Sequence, residues 1–309
     1  MRKSIDFSVV CPVYSEEQNL PLFYKKLKTS LTKISKKPEI IFVDNGSTDN
    51  SLKVLKKISD KDRRVKILQL PYPTKSEALE AGFNIARGRY IFTLDVDLQD
   101  RPDQMIKLLE KMKIANADLV VGWRKNRKDI QKKIFLTKIF NLVVTKSTGL
   151  KIHDLNCGLK LFKKEVVEKL TLYGEMHRFI PVIVSDLKFK IAEVEIEHDS
   201  RKYGNSKYGN ERIFKGFFDF ATTLFLRRYG RFPLHFFGLL GFIFLFLGLI
   251  INIYLAIIWF GGLGIGQRPL LTLGVLLMII GAQFFSIGFL GEIIIYYFKT
   301  FRKTGKSAS

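Results

Sequence analysis

Two carboxylates spaced two residues apart, Asp95 and Asp97 in Thr93-Leu94-Asp95-Val96-Asp97-Leu98-Gln99-Asp100, suit a hard divalent cation held by oxygen ligands. If an extended strand continued through them, both would face one side, with Gln99 following at the same spacing. Diphosphate oxygens of a ligand would complete the shell. Asp100, followed by Arg101-Pro102-Asp103, reads instead as the N-cap of the next helix. Two further clusters are Cys11-Pro12-Val13-Tyr14-Ser15-Glu16-Glu17 and Asp44-Asn45-Gly46-Ser47-Thr48-Asp49. An acidic side chain at a strand end can accept from ribose hydroxyls or a base N–H, and Gly46 permits the tight turn that brings it close. The plainer alternative for residues 44–49 is a turn with a helix N-cap. Candidate phosphate-binding cations are Arg124, Arg127, Arg178, Arg201, Lys207 and Arg212. The planar guanidinium matches phosphate oxygens two at a time, which favours the arginines over the scattered lysines.

These residues need a frame. Residues 1–210 alternate short β-branched runs with helical patterns, which predicts βα units and a mainly parallel sheet. Strands are expected at Phe7–Val10, Ile40–Val43, Val65–Gln69, Tyr90–Leu94, Leu119–Val121 and Ile191–Glu195, and helices at Glu16–Ser35, Ser51–Ser59, Lys75–Arg87 and Pro102–Lys113. Ligands of such a sheet bind at the carboxyl ends of its strands, where the motifs above fall. His177 and His198 read as positioning donors rather than bases. Cys157 reads as a packed thiol, and Trp123 as either a sugar or base platform or a packed residue.

The composition divides the chain. Of 51 Lys and Arg and 29 Asp and Glu, only five basic residues and Glu292 fall after Phe232. Residues 1–232 therefore keep 46 basic and 28 acidic side chains, a net of +18. A basic block joined to an apolar tail points to a membrane and anionic substrates before nucleic acid. Phe236 to Phe260 and Leu270 to Tyr297 each exceed the roughly 20 residues that cross a bilayer core. The glycine-rich turn between them makes a helical hairpin. Arg227, Arg228 and Arg231 before it, and Lys299, Arg302, Lys303 and Lys306 after it, place both ends in the cytoplasm by the positive-inside rule. Upstream, Ile213, Phe214, Phe217, Phe218, Phe220, Leu224 and Phe225 recur at helical spacing among charges, the pattern of a helix lying in the membrane interface. Residues 132–146 carry a similar pattern that equally suits an ordinary helix on a soluble core. The two cysteines make no disulfide framework.

Pro12 to Glu17, Val43 to Asp49 and Asp95 to Asp100 together resemble the motifs of inverting family 2 glycosyltransferases of the GT-A fold. Cys157-Gly158-Leu159-Lys160, Met176-His177-Arg178-Phe179-Ile180-Pro181 and Arg201-Lys202-Tyr203-Gly204-Asn205-Ser206-Lys207-Tyr208-Gly209 narrow the resemblance to polyprenyl-phosphate glycosyltransferases, a group that includes dolichyl-phosphate and bactoprenol-phosphate enzymes. It spans essentially the whole chain. It departs from the family at Asn45, where a second Asp is frequent, and at Lys160, where Arg is frequent.

The resemblance implies three regions: a cytoplasmic GT-A domain (1–210), a juxtamembrane amphipathic helix (211–232) and two transmembrane helices (233–309, spans near 235–260 and 270–297). It implies a nucleotide-sugar site at Pro12, Tyr14, Glu16, Asp44 and Asp95, and Mg2+ or Mn2+ on Asp95, Asp97 and Gln99. Catalytic roles follow for Asp97, Arg124, Arg127 and Arg178, and an acceptor-phosphate site at Arg201, Ser206, Lys207, Tyr208 and Arg212. The expected activity moves one sugar from a UDP-sugar or GDP-mannose to polyprenyl phosphate. Homo-oligomerisation through the spans is a further possibility, with no clear small-residue motif to support it. Rival readings are a processive polysaccharide synthase, whose Gln-x-x-Arg-Trp signature Trp123 and Trp259 do not supply, and a non-catalytic basic membrane scaffold. The doubled tetrapeptide Lys-Tyr-Gly-Asn at 202–205 and 207–210 suits a flap over a diphosphate, or a plain linker.

Overall fold

The computed structural model describes residues 5–35, 37–71, 74–125, 149–150, 152–199, 221–225, 228–230, 232–266 and 268–304. The chain forms two compact units, Met1–Phe220 and Ala221–Ser309.

The first unit is built on a seven-stranded sheet in the order β3-β2-β1-β4-β6-β5-β7. Its strands are β1 (Phe7–Val13), β2 (Pro38–Asn45), β3 (Val65–Leu70), β4 (Tyr90–Thr93), β5 (Leu119–Trp123), β6 (Lys160–Lys163) and β7 (Ile191–Glu195). β1 and β2 are buried on both faces, so their sequences run apolar instead of alternating. β1 pairs in parallel with β2 and β4, β2 with β3, and β5 with β7. β6 runs antiparallel to both β4 and β5. Helices α1 (Leu20–Ile34), α2 (Ser51–Lys61), α3 (Lys75–Ile85) and α4 (Met105–Ala115) cover the faces, followed by a short α5 (Lys164–Val167) and α6 (Ile180–Asp186). Phe23, Phe42, Phe92 and Phe162 are fully buried at the centre.

Three differences from the sequence pattern bear on the site. β2 extends through Asn45, so Asp44 is a strand residue paired with Val13 and Gln69, not the first residue of a turn. β4 stops at Thr93, and Leu98 takes a left-handed φ of 63°, so Asp95 to Gln99 form a turn. The single-face argument that grouped Gln99 with the two aspartates therefore fails. β6 is new: four residues are too few to carry a period.

At the amino end of the sheet the carboxylates of Glu39, Asp62 and Asp118 are fully partnered. Glu39 accepts from Ser8 Oγ at 2.7 Å and Arg87 N at 3.0 Å on one oxygen, and from Lys66 Nζ at 2.5 Å on the other. Burial raises its pKa, but these donors prevail and hold it below the usual value. Asp62 takes Tyr24 Oη at 2.6 Å and the fork of Arg64, which holds its carboxyl well below the carboxylate range. Tyr24 is pushed up to about 12, by burial and by the hydrogen bond to Asp62. Asp118 binds Lys163 Nζ at 2.7 Å and Lys190 N at 2.8 Å.

The second unit holds α7 (Pro233–Phe260) and α8 (Pro269–Thr304). Pro233–Phe260 and Pro269–Phe298 are long and apolar enough to cross a membrane, with mean hydropathies of 2.6 and 2.2. Glycines seven residues apart bring the two backbones together. A Cβ on Gly241 would lie 2.8 Å from the Gly281 carbonyl oxygen, and one on Gly248 would lie 2.7 Å from that of Gly274. Gly288 continues the series opposite Leu234. Seven-residue spacing keeps one stripe of each helix against its partner, and small residues let the helices touch where lipid offers no hydrophobic drive. Asn252 donates Nδ2 to the Gly248 carbonyl at 2.9 Å and so satisfies its amide within the hairpin. Phe242, Phe246, Ile257 and Phe260 face outward.

Candidate active site

The loops that follow β1 and β2 are laced together. Ser47 Oγ accepts from Ser15 N at 2.9 Å, Ser51 Oγ from Glu16 N at 2.7 Å, Asp49 Oδ2 from Glu17 N at 3.1 Å, and Glu17 Oε2 from Asn50 N at 2.9 Å. Ser15 holds a left-handed φ of 51°, a strain these bonds sustain. Gly46, at φ 72°, makes the turn that a side chain would resist. Pro12, Tyr14 and Glu16 thus come to the same edge as Asp44. Asp44 is buried, and its Oδ1 has no partner among the described residues; the same is true of the Asn45 amide oxygen. An unmet buried acceptor is costly unless a ligand meets it.

Beyond β4, Asp95 is gripped through both oxygens by Lys75 Nζ, at 2.6 and 2.7 Å. Burial alone would raise the Asp95 pKa, but the charges of Lys75, Lys160 and Arg124 hold it below the usual carboxylate value. Asp97 Oδ1 accepts from Gln99 N at 3.1 Å and fixes the turn. The Lys75 ammonium sits where a cation belongs.

Asp100 does not cap a helix as its sequence context suggested. The short turn at Pro102–Gln104 has Arg101 at its cap, and Asp100 Oδ2 instead receives the N–H groups of Gly158 and Leu159, at 3.0 and 3.2 Å. This carboxylate docks the start of β6 against the end of β4, helped by Thr93 Oγ1 donating to the Gly158 carbonyl at 2.8 Å. Gly158 is there because nothing larger fits: a Cβ would lie 2.4 Å from Asp95 Oδ2.

The arginines divide. Arg124 is buried in a two-pronged pair with Asp154, at 2.7 and 3.0 Å, and Asp154 with Asp100 keeps it charged despite burial. That pairing engages the fork expected to grip phosphate. Arg178 is buried with one amino group 2.6 Å from Glu175, while its Nε has no partner among the described residues. His177 meets Ser76 Oγ through both its backbone N–H, at 2.9 Å, and its ring Nδ1, at 3.1 Å. Trp123 stacks on His153 at 4.2 Å, so that face is taken. Cys157 and Cys11 are buried thiols pushed up by burial, as packed thiols should be. Arg127, Arg201, Ser206, Lys207, Tyr208, Arg212, the 132–146 pattern and most of the interface helix lie outside the described residues.

Lys75 escaped the sequence reading, and Lys160 entered it only as a departure from the family motif, with no place in the site. Lys75 opens α3, where the helix dipole disfavours a cation, and that misplacement is the signal of an anionic partner. Lys160 is buried, and burial pushes its ammonium down to about 8. With Lys75, Thr93, Asp95, Gly158 and His177 it lines one small pocket.

Does a divalent cation fit? Among the described residues no group of three His, Cys, Asp or Glu converges. Asp95 and Asp97 follow β4 in one turn, where the Lys75 ammonium on both Asp95 oxygens occupies the position of a cation and a divalent ion would need further ligands from a bound diphosphate.

The chain matches the glycosyl transferase family 2 model over residues 8–171. It is 36% identical over 302 residues to the dodecaprenyl-phosphate galacturonate synthase of Rhizobium johnstonii, covering 94% of this chain and 88% of that protein. It is 32% identical to the undecaprenyl-phosphate 4-deoxy-4-formamido-L-arabinose transferase of Proteus mirabilis, covering 93% and 87%. Among solved structures, glucosyl-3-phosphoglycerate synthase of Mycobacterium tuberculosis, in complex with Mn2+, UDP and glucosyl-3-phosphoglycerate, superposes with a TM-score of 0.54 at 18% identity over 72% of this chain and 80% of that one. That likeness concerns the GT-A fold. A mainly parallel sheet carrying its acidic turns at the carboxyl edge, a matching family model and two relatives matched over nearly the whole chain lead to one placement: the chain belongs to glycosyl transferase family 2 and, within it, to the polyprenyl-phosphate glycosyltransferases.

Proposed function

We propose that the protein moves one sugar from a nucleotide donor, a UDP-sugar being the first to try, onto a polyprenyl phosphate at the cytoplasmic face of a membrane. The observation that carries this reading is the row of unmet acceptors and acidic turns along one sheet edge, from Asp44 to Asp95 and Asp97. In it, Asp44 accepts from the base or ribose, and the linked 14–17 and 47–51 loops enclose the nucleoside. Asp95 and Asp97 hold Mg2+ or Mn2+, which when bound supplies positive charge to the departing diphosphate. Lys75, which grips Asp95 here, would supply its charge to the phosphates when the site is loaded.

The acceptor needs no general base. A phosphate monoester has a second pKa near 6 and is already largely anionic at neutral pH. One of its oxygens attacks the anomeric carbon, a C–O bond forms with inversion, and the bond to the diphosphate breaks. Arg201, Ser206, Lys207, Tyr208 and Arg212 are assigned to the acceptor phosphate, and Arg127 and Arg178 to the phosphates generally. The basic residues flanking the hairpin support a topology with both chain ends and the catalytic domain (1–210) in the cytoplasm, residues 211–232 on the interface and 233–309 spanning the membrane.

The test is full-length protein with polyprenyl phosphate, Mg2+ or Mn2+ and a panel of nucleotide sugars, with the glycolipid and released nucleotide read by mass spectrometry. Glycolipid that forms only with a divalent cation supports the reading. Release of nucleotide without glycolipid would refute the acceptor, and full turnover by Asp95→Asn together with Asp97→Asn would refute the metal site. Arg201→Ala should raise KM for the lipid phosphate more than for the donor.

A further inference from the structure

The carboxylate that the proposed function gives to a divalent cation already has a cation on it. Lys75 Nζ lies 2.6 Å from Asp95 Oδ1 and 2.7 Å from Oδ2, so one ammonium covers both oxygens. A metal ion and an ammonium cannot share that position, because like charges so close repel strongly away from bulk water. Either the ion stays out or Lys75 leaves.

The surroundings decide which group can leave. Three cations, Lys75, Arg124 and Lys160, and three carboxylates, Asp95, Asp100 and Asp154, act on one another in one cluster, and their charges cancel. Arg124 is fastened by both prongs to Asp154, and Asp100 is tied to the Gly158 and Leu159 N–H groups. Lys160 is buried and donates to the Cys157 carbonyl. Lys75 and Asp95 are the open members, with side chains 24% and 30% exposed against 11% and 5% for Arg124 and Asp154. Of the three cations, Lys75 is the one whose flexible stem can swing into solvent. Its place at the start of α3, where the helix dipole repels an ammonium, eases that release.

Charge sets the condition for leaving. Asp97, in the same turn, adds a single negative charge to a neutral set, which is too little to match a divalent ion. An ion entering alone would push Lys75 into water and leave a surplus of positive charge. A diphosphate entering alone would meet a neutral cluster whose ammonium is already held. Together the two compensate: the diphosphate offers Lys75 a second anion, and offers the ion the ligands that two aspartates do not supply.

We propose that Lys75 is a latch that keeps Mg2+ or Mn2+ off Asp95 until a nucleotide diphosphate draws the ammonium away, so that metal and nucleotide bind as a pair. The inference rests on the glycosyl-transfer reading for the metal at Asp95. By linkage, nucleotide tightens the metal by the same factor that metal tightens the nucleotide.

Binding is read without turnover, from the electron paramagnetic resonance signal of free Mn2+ over full-length protein, with and without saturating UDP. Binding that Asp95→Asn removes is counted as the site's own. Wild type should bind Mn2+ about 30-fold more tightly with UDP than without it. Lys75→Met should bind Mn2+ alone about tenfold more tightly than wild type, and its gain from UDP should shrink by the same factor. Lys75→Arg, which keeps the charge, should retain the wild-type pattern. Mn2+ affinity without UDP that is no higher in Lys75→Met than in wild type overturns the latch. So does wild-type Mn2+ affinity that UDP leaves unchanged, a comparison that stands even if Lys75→Met does not fold. Both results leave the metal at Asp95 in place. Wild type that binds UDP by calorimetry, yet holds no Mn2+ at Asp95 in its presence, refutes the metal site itself and the latch with it.

Discussion

At the amino end of the sheet, Glu39, Asp62 and Asp118 have donors on both carboxylate oxygens. At the carboxyl end, in the segments at and after β1 to β4, Asn19, Asp44, Asn45, Thr74 and Asp100 each keep an oxygen without a partner among the described residues. Backbone strain does not separate the ends: of the left-handed non-glycine residues, Ser15 and Leu98 lie at the carboxyl end, whereas Asn116 and Lys188 precede β5 and β7 at the amino end. Both ends bury charge, so burial alone does not mark a site. What marks it is burial that the protein leaves incomplete: one end is finished for stability, and the other keeps valences open for a ligand.

Substitutions at the two ends should therefore separate activity from stability. Asp95→Asn should lower kcat by about 10^3, the scale of losing a main electrostatic group, with the thermal midpoint moving by only a few degrees in calorimetry. Gly158→Ala, which sets a methyl against the Asp95 carboxylate, should reduce kcat/KM by about 100-fold with native circular dichroism. At the other end the pattern inverts. Glu39→Gln removes the anion that Ser8, Lys66 and Arg87 share and should destabilise by about 1–2 kcal/mol in urea titration, with kcat/KM unchanged. Asp44→Asn should raise KM for the nucleotide sugar about tenfold at constant stability. An activity loss from Glu39→Gln in the folded enzyme would break the contrast.

The pH dependence carries the same division. Asp62 has a folded pKa held below its unfolded value near 4. Its stabilisation is complete above that value and is lost as pH falls from there toward the lower folded pKa. The urea midpoint should drop between pH 5 and 3, and Asp62→Asn should flatten that drop.

The sequence made the parallel framework legible because β1, β2 and β3 are apolar runs bounded by turns, and because α1 to α4 carry a helical period. It also located the acidic turns after β1, β2 and β4. It missed β6 because four residues have no period, and with β6 it missed Lys160 as a pocket wall. It mistook Asp100 because a cap and a long-range backbone clamp look alike in sequence; the N–H groups that Asp100 receives come from residues 58 and 59 positions away. It read Arg124 as open to phosphate because its partner, Asp154, lies 30 residues downstream, a pairing visible only in the fold. The glycine stripe of the hairpin went unread because its register appears only when the two helices are laid antiparallel.

The reversal of β6 also has a consequence for how the protein matures. The contacts between the loops after β1 and β2 join residues 32 to 35 positions apart, so that half of the edge closes from local chain. The pocket beside Asp95 waits for Gly158, and its far wall for His177, which meets Ser76 across 101 positions. Contacts so distant in sequence form late, and in a chain made from its amino end they cannot form until their second half has emerged. During synthesis the edge formed by the loops after β1 and β2 can therefore close before the pocket beside Asp95 exists.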